Sequence, residues 1–227
     1  MAPYGIYNTE ECKIPFPFRM LLAAPSGFGK SSFCVKLLQN SERMMSINPQ
    51  RIIYFHGLLT PELTALAHED KRVFLYEGYD EALYLDKDKD VPWCVCIDDL
   101  MSSSKYDQIS NLFTKYSRHL NIGVIFMTQN PYYRGNPSAV KHNRDILSNS
   151  TDIVLFHNSR EVIAAMNIGK SAFFGKQFQL FKEAYADATS EKFTYLFMSF
   201  SPHTKPEFRL RSNIFYFMER TIVYLEK

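Results

Sequence analysis

The sequence predicts an α/β fold with a mostly parallel central sheet that is flanked by helices and extended by further C-terminal strands. Apolar runs such as 18–24, 93–99 and 122–130 alternate with segments of helical spacing. Such runs are typical of parallel strands that are covered on both faces, and their alternation with helices favours a layered sheet. The chain has 227 residues, 46% of them hydrophobic. We therefore expect a single domain over 1–227, with its core at about 16–217.

The apolar runs and the helical spacings place the individual elements. Strands are predicted at 18–24, 51–57, 72–78, 93–99, 122–130, 152–158, 192–201 and 208–217. Helices are predicted where apolar residues recur every three or four positions, at 31–44, 61–70, 104–120 and 159–167. The mixed charges of 86–90 indicate an exposed turn rather than a metal site, because runs of this kind are usually solvated.

The bulk composition excludes several classes of protein. A net charge of +2 gives the protein no overall positive field that would attract nucleic acid. Any contact with DNA therefore has to come from a local patch of residues. No signal peptide and no apolar run long enough to span a bilayer is visible, so we expect an intracellular protein without membrane insertion. The four cysteines lack C-x-x-C spacing, which favours buried thiols in a reducing compartment; they are Cys12, Cys34, Cys94 and Cys96.

A glycine-containing turn between a predicted strand and a predicted helix is the clearest motif. Residues 24–31, "APSGFGKS", fit the pattern G-x-x-x-x-G-K-[ST] except that Ala24 replaces the first glycine. Such loops wrap phosphate groups, with Lys30 reaching the β- and γ-phosphates and Ser31 binding Mg²⁺. The predicted nucleotide-binding residues are Pro25, Ser26, Gly27, Phe28, Gly29, Lys30, Ser31 and Ser32. An ordinary strand-to-helix turn is the alternative, and alanine would be strained if position 24 required a positive φ.

Two acids end the apolar strand 93–99. If this strand lies beside the loop strand, Asp98 falls near Ser31 and holds the Mg²⁺ ion. Asp99 would then orient or deprotonate the water that attacks the γ-phosphate. The alternative is that one of these acids caps a turn containing Ser102.

Two further polar motifs lie later in the chain. Gln129 ends a buried strand at the edge where ligands bind in α/β sheets, which suits a sensor of the γ-phosphate. A hydrogen bond that orders the loop is its alternative role. A second "GKS", at 169–171, follows a helical rather than a strand pattern and lacks a second loop glycine. We therefore predict that it is not a phosphate loop.

With these motifs assembled, the sequence resembles the FtsK/HerA superfamily of ring-forming DNA-pumping ATPases. Within it, the chain looks like the genome-packaging ATPases of Polinton-type elements, virophages and large DNA viruses. The resemblance rests on "APSGFGKSS", "CVCIDDLM", "LFTKYSRHLNIGVIFMTQNPYYRG", "RDILSNSTDIVLFHNSRE", "EAYADAT" and "FRLRSNIF". These blocks cover most of the chain from about Phe16 to Phe215. The departures are Ala24, aspartate instead of glutamate at Asp99, and a Pro-Tyr pair at 131–132 where Polinton-type sequences commonly carry an apolar pair.

The resemblance implies a P-loop NTPase of the RecA-like (ASCE) type that uses ATP and Mg²⁺ to pump double-stranded DNA into a capsid. It implies a pentameric or hexameric ring, capsid or portal-vertex proteins as partners, and a nuclear or cytoplasmic assembly site in a host cell or a place on the virion. In FtsK-like motors a trans-acting arginine stands eleven residues before the sensor glutamine, and Arg118 stands at that offset from Gln129. Arg144 is the second candidate for this arginine finger.

Contacts to DNA are expected in the polar segment 130–144, where basic residues are interleaved with tyrosines. The candidates are Arg134, Lys141 and Arg144. The same segment could equally form a subunit contact or an ordinary loop. Arg209 and Arg211 are predicted to share one face of a strand, for which paired surface charge is the simpler explanation.

Three other functions stay open at the level of sequence. A related DNA-transfer or helicase-type ATPase would bring large extra domains, for which this chain has no room. A nucleotide-dependent switch would need neither an arginine finger nor stimulation by DNA. A small-molecule kinase would need an acceptor site and a lid, and the sequence carries no distinct signal for either.

Overall fold

The computed structural model describes residues 4–7, 10–98, 105–129, 137–157 and 162–226. The strands in these ranges form one ten-stranded sheet. In chain order they are β1 (Tyr4–Tyr7), β2 (Arg19–Ala23), β3 (Arg51–His56), β4 (Val73–Glu77), β5 (Trp93–Asp98), β6 (Ile122–Thr128), β7 (Asp152–Phe156), β8 (Tyr195–Ser199), β9 (Leu210–Ser212) and β10 (Thr221–Tyr224).

Helices pack on both faces of this sheet. They are α1 (Lys30–Gln39), α2 (Ser41–Met44), α3 (Pro61–Glu69), α4 (Ala82–Leu85), α5 (Tyr106–Asn111), α6 (Ser117–His119), α7 (Pro137–Asn149), α8 (Val162–Ala172) and α9 (Lys176–Ala188). A π-helical turn, Leu112–Tyr116, joins α5 to α6, and short 3₁₀ turns lie at Glu10–Cys12 and Pro206–Phe208. Within the described ranges, every helix is too short or too polar to traverse a bilayer.

The order of strands confirms the predicted α/β class. The sheet runs β1-β10-β9-β8-β7-β2-β6-β5-β3-β4. The six strands from β7 to β4 are parallel, and β8, β9, β10 and β1 extend the sheet in antiparallel fashion. The mostly parallel sheet with extra C-terminal strands is therefore as predicted, whereas β1 and β10 were not predicted.

The condition under which the sequence placed Asp98 near Ser31, that the acidic strand adjoins the loop strand, is not met. The loop strand β2 and the acidic strand β5 are not neighbours, because β6 lies between them and pairs with both. Every residue of β6 is buried, which suits a strand at the centre of a sheet. The carboxyl ends of the three strands still meet at one edge.

The hydrophobic core forms two layers, one on each face of the sheet. One layer holds α1 and α3, with Phe33, Leu38 and Leu63 among its buried residues. The other holds α5, α8 and α9. All four cysteines are free and buried, as predicted.

The second "GKS" lies inside α8, so residues 169–171 do not form a phosphate loop. Gly169 is buried, and a Cβ atom placed there would lie 2.1 Å from Cε1 of Phe181. The glycine in this motif is thus explained by close packing between α8 and α9.

Gly169→Ala is expected to lower the free energy of unfolding by about 1–3 kcal/mol. The Phe181 ring that blocks the new methyl group is fully buried and stacks on Phe173 and Phe178, so it has little room to move. Chemical denaturation measures the loss. Asn167→Ala, at an exposed position of the same helix, is the control and should change stability by less than about 0.5 kcal/mol. Equal losses in both variants would contradict the packing argument.

Candidate active site

The glycine turn lies between β2 and α1, and its two glycines adopt backbone conformations that other residues rarely take. Gly27 has φ +79° and Gly29 has φ +94°. Gly29 also caps α1, and its carbonyl accepts the N–H of Phe33 in the first turn. The helix therefore begins directly behind the loop, with its positive N-terminal end at the loop.

Position 24 does not require glycine. Positive φ values among the described non-glycine residues occur at Asn121, Phe193 and Asn213, so Ala24 keeps an ordinary conformation. Its N–H donates to the carbonyl of Thr128 at 3.2 Å, which ties the start of the loop to the end of β6. The departure from the glycine pattern at this position therefore causes no backbone strain.

Lys30 is held at the loop. Its side chain is 6% exposed, and Nζ donates to the carbonyls of Ala24 at 2.5 Å and Pro25 at 3.0 Å. A buried ammonium group is stable only when its hydrogen bonds are satisfied. The loop carbonyls therefore keep a positive charge at the mouth of the loop, where phosphates would bind.

The hydroxyl of Ser31 and the carboxylate of Asp98 are brought together at the end of the loop. Ser31 Oγ donates to Asp98 Oδ2 at 2.9 Å. Ser31 lies in the first turn of α1, which follows β2, and Asp98 ends β5, two strands away from β2 in the sheet. A hydroxyl and a carboxylate oxygen are ligands that Mg²⁺ prefers. The donor set therefore fits a magnesium ion, which these two residues would hold.

Tyr54 is a third member of this cluster and was not predicted from the sequence. Its hydroxyl donates to the same Oδ2 atom of Asp98 at 3.1 Å. Burial raises the pKa of Tyr54 far above its ordinary value, so the phenol stays a neutral donor. Tyr54 thereby restrains the carboxylate from the β3 side. In the sequence it is one more aromatic residue within an apolar strand, which gave no signal of this contact.

The remaining predicted residues of the loop edge can be placed only in part. Gln129 directly follows β6 and is half-buried, so it lies at the sheet edge between the loop and Asp98. Asp99 and Arg134 lie outside the described residues. The sensor role of Gln129 and the water-activating role of Asp99 stay predictions.

Arg118 lies at the opposite edge of the sheet. It is exposed in α6, just before β6 begins. Burial lowers the pKa of Arg19, and the nearby charge of Arg118 lowers it further. Arg19 starts β2, whereas the loop follows the end of β2. The strand separates the two ends by roughly 13 Å at 3.3 Å per residue. Arg118 therefore lies too far from the glycine turn of its own chain to reach it.

The other basic candidates differ in exposure. Arg144 and Lys141 are exposed on α7, and Arg209 is exposed just before β9. Arg211, in contrast, is 1% exposed. Its Nη1 donates to the carbonyl of Cys12 at 2.7 Å, and burial lowers its pKa.

The expectation that Arg209 and Arg211 form a surface pair is thus wrong. The guanidinium of Arg211 packs over the ring of Phe197 at 4.7 Å, inside the sheet rather than on its surface. An arginine in this position cannot contact DNA.

A cleft of about 620 Å³ opens beside the loop. One wall is formed by the loop and α1, including Lys30 and Ser31, and Asp98 also borders it. The facing wall comes from segments around β8 and β9, notably Phe193, Tyr195, Asn213, Phe215 and Glu219. A cleft of this size is in the range that holds small-molecule ligands and cofactors.

Comparison with known proteins gives only low similarity. No family model matches the chain, and no curated protein matches it. Among solved structures, EssC (ATPases 2 and 3) from Geobacillus thermodenitrificans is similar with a TM-score of 0.43 and 14% identity, over 65% of this chain and 34% of that one.

Two other solved structures are similar at the same low level. The cytoplasmic domain of the type VII secretion ATPase EccC from Thermomonospora curvata gives a TM-score of 0.48 and 8% identity, over 93% and 24% of the two chains. The ATPase DotB from Legionella pneumophila gives a TM-score of 0.37 and 9% identity, over 61% of this chain and 40% of that one. The chain thus spans at most 40% of the length of these three proteins. Similarity this low leaves the function to be argued from the residues of the site.

Proposed function

We propose that this protein is a P-loop ATPase that hydrolyses ATP with the help of Mg²⁺. The observation that carries the proposal is the 2.9 Å contact between Ser31 and Asp98. It joins the hydroxyl behind the glycine loop to a carboxylate at the end of β5, which lies two strands away from the loop strand β2 in the sheet. A simple strand-to-helix turn would not need this acid.

Each residue of the site has a definite task in this reaction. Backbone amides of the loop and the N-terminus of α1 bind the phosphates, and Lys30 turns from the loop carbonyls to the β- and γ-phosphates. Ser31 and Asp98 hold the Mg²⁺ ion, which neutralises charge on the phosphates when bound. Asp99 accepts a proton from the attacking water or orients it, and Gln129 contacts the γ-phosphate.

We further propose that hydrolysis is coupled to translocation of double-stranded DNA, as in the packaging of a viral or virus-like genome into a capsid. The sequence resemblance supports this proposal, and so does the position of Arg118. An exposed arginine that cannot reach its own loop suits an arginine finger in a homo-oligomeric ring. The exposed Lys141 and Arg144 on α7, with Arg134, are the proposed contacts to DNA.

Asp98→Asn is expected to lower the steady-state rate of ATP hydrolysis by about 10²-fold at saturating ATP. The amide keeps the size of the side chain and can still accept from Ser31, but it lacks the charge that holds a divalent cation. The measurement is phosphate release with and without double-stranded DNA. Asp88→Asn, in an exposed turn, is the matched control and should hydrolyse ATP like the wild type.

The result for wild type separates the candidate functions. Stimulation of hydrolysis by DNA supports the motor. Hydrolysis that DNA leaves unchanged would contradict the motor and favour a nucleotide-dependent switch. An absence of ATP binding and hydrolysis in the wild type would overturn the ATPase proposal itself.

A further inference from the structure

Phe193 combines two unusual properties in the turn between α9 and β8. Its backbone has φ +66°, a conformation that bulky L residues rarely adopt. Its ring is 63% exposed, although it borders the cleft beside the phosphate loop. An exposed aromatic ring gains little from burial, so packing alone does not explain why this strained position holds phenylalanine.

The backbone on either side of Phe193 is fixed. The carbonyl of Thr194 accepts the N–H of His157 at 3.2 Å, and the hydroxyl of Thr194 donates to the carbonyl of Glu191 at 2.8 Å. The ring is thereby directed toward the loop: a Cβ atom placed on Gly29 would lie 3.5 Å from Cδ1 of Phe193. Phe193 thus stands next to Gly29 of the loop and borders the cleft, and most of its surface is exposed.

The wall of the cleft that holds Phe193 also supplies polar groups. Asn213 also has a positive φ, +53°. Its carbonyl accepts the hydroxyl of Thr221 at 2.9 Å, and the following N–H, that of Ile214, donates to the hydroxyl of Tyr195 at 3.3 Å. Asn213 and Glu219 both border the cleft. Their amide and carboxylate groups are of the kind that hydrogen-bond to the edge of a nucleobase.

We propose that Phe193 is the stacking surface for the purine base of the nucleoside triphosphate, with Asn213 and Glu219 at the edge of that base. This inference rests on the proposed ATPase function and adds the subsite for the base to it. A planar ring beside the loop gives the base a stacking surface in the same cleft that the loop and α1 border on the phosphate side. Stacking is favourable for any base but strongest for the larger purines, since the contact area is larger.

The test compares two ligands with the same diphosphate group, ADP and inorganic pyrophosphate, by calorimetry in the presence of Mg²⁺. Phe193→Ala is expected to weaken ADP binding about tenfold, in line with stacking on aromatic residues, and to leave pyrophosphate binding unchanged. Phe193→Trp keeps an aromatic plane and should retain ADP binding. Phe174→Ala removes an aromatic ring that is also exposed but lies outside the cleft, and this variant should bind both ligands like the wild type.

A structural role for Phe193 would give other results. Weakening of both ligands to the same extent would show that the ring only supports the loop, and unchanged ADP binding in Phe193→Ala would show that it does not contact the base; either result overturns the inference. Phe193→Gly removes both the ring and the strain, so it should melt no lower than wild type while binding ADP as weakly as Phe193→Ala. If the wild type binds neither ligand, the ATPase proposal fails first and this subsite fails with it.

Discussion

Arg118→Ala is expected to lower DNA-stimulated ATP hydrolysis by about 10³-fold or more, the effect of removing an arginine finger. The guanidinium would stabilise negative charge on the phosphoryl group in the site of the neighbouring subunit. Binding of ATP to the variant should stay close to that of the wild type, because the side chain lies at the edge of the sheet away from its own loop. Phosphate release and nucleotide titration measure the two effects separately.

The stability of this variant distinguishes lost catalysis from lost structure. Arg118 is exposed, and its charge acts unfavourably on the nearby Arg19. Its removal should therefore leave the melting temperature unchanged or slightly raised. Arg118→Lys keeps the charge but not the planar, forked donor geometry, and should not restore the rate. Lys115→Ala, at an exposed position one turn earlier, is the control; a rate for Arg118→Ala equal to that of this control would exclude Arg118 as the finger.

Lys30→Ala is expected to lower the rate of ATP hydrolysis by about 10²–10³-fold, because the ammonium group stabilises charge that develops on the phosphates. The buried side chain donates to two loop carbonyls in the present structure, so its removal also leaves these carbonyls without that donor. ATP binding should weaken as well. Kinetics at several ATP concentrations, together with a melting curve, separate these effects from unfolding.

The second "GKS" supplies the matched control for Lys30. Lys170 follows a glycine and precedes a serine just as Lys30 does, but it is exposed within α8. Lys170→Ala should hydrolyse ATP at the wild-type rate. Equal losses in Lys30→Ala and Lys170→Ala would contradict the assignment of the phosphate loop to 24–31 alone.

The fold and the centre of the site could be predicted because their signals are local. Strands and helices show as apolar runs and helical spacing among residues that are neighbours in the sequence. The loop pattern is equally local, because it lies between one strand and the next helix. The pairing of Ser31 with Asp98 was also predictable, because the carboxyl ends of parallel strands share an edge. The exact neighbours of β2 were not, since any of several fully apolar strands fits the centre of a sheet equally well.

The residues that sequence analysis missed act through contacts between distant segments. Tyr54 reaches Asp98 from the neighbouring strand β3, and Phe193 lies beside Gly29 although its turn is far along the chain. Arg211 was placed on a surface because charged residues are rarely buried. The structure buries it against Phe197 and the carbonyl of Cys12, a tertiary arrangement that no local pattern encodes.

Mixing Lys30→Ala subunits with Arg118→Ala subunits shows whether neighbouring subunits share a nucleotide site. Each variant alone should be nearly inactive in DNA-stimulated hydrolysis. In a randomly mixed ring, about a quarter of the interfaces would pair an intact Lys30 with an intact Arg118, so we expect recovery to about a quarter of the wild-type rate. Mixed rings that assemble but stay as inactive as either variant alone, at every mixing ratio, would contradict the shared site.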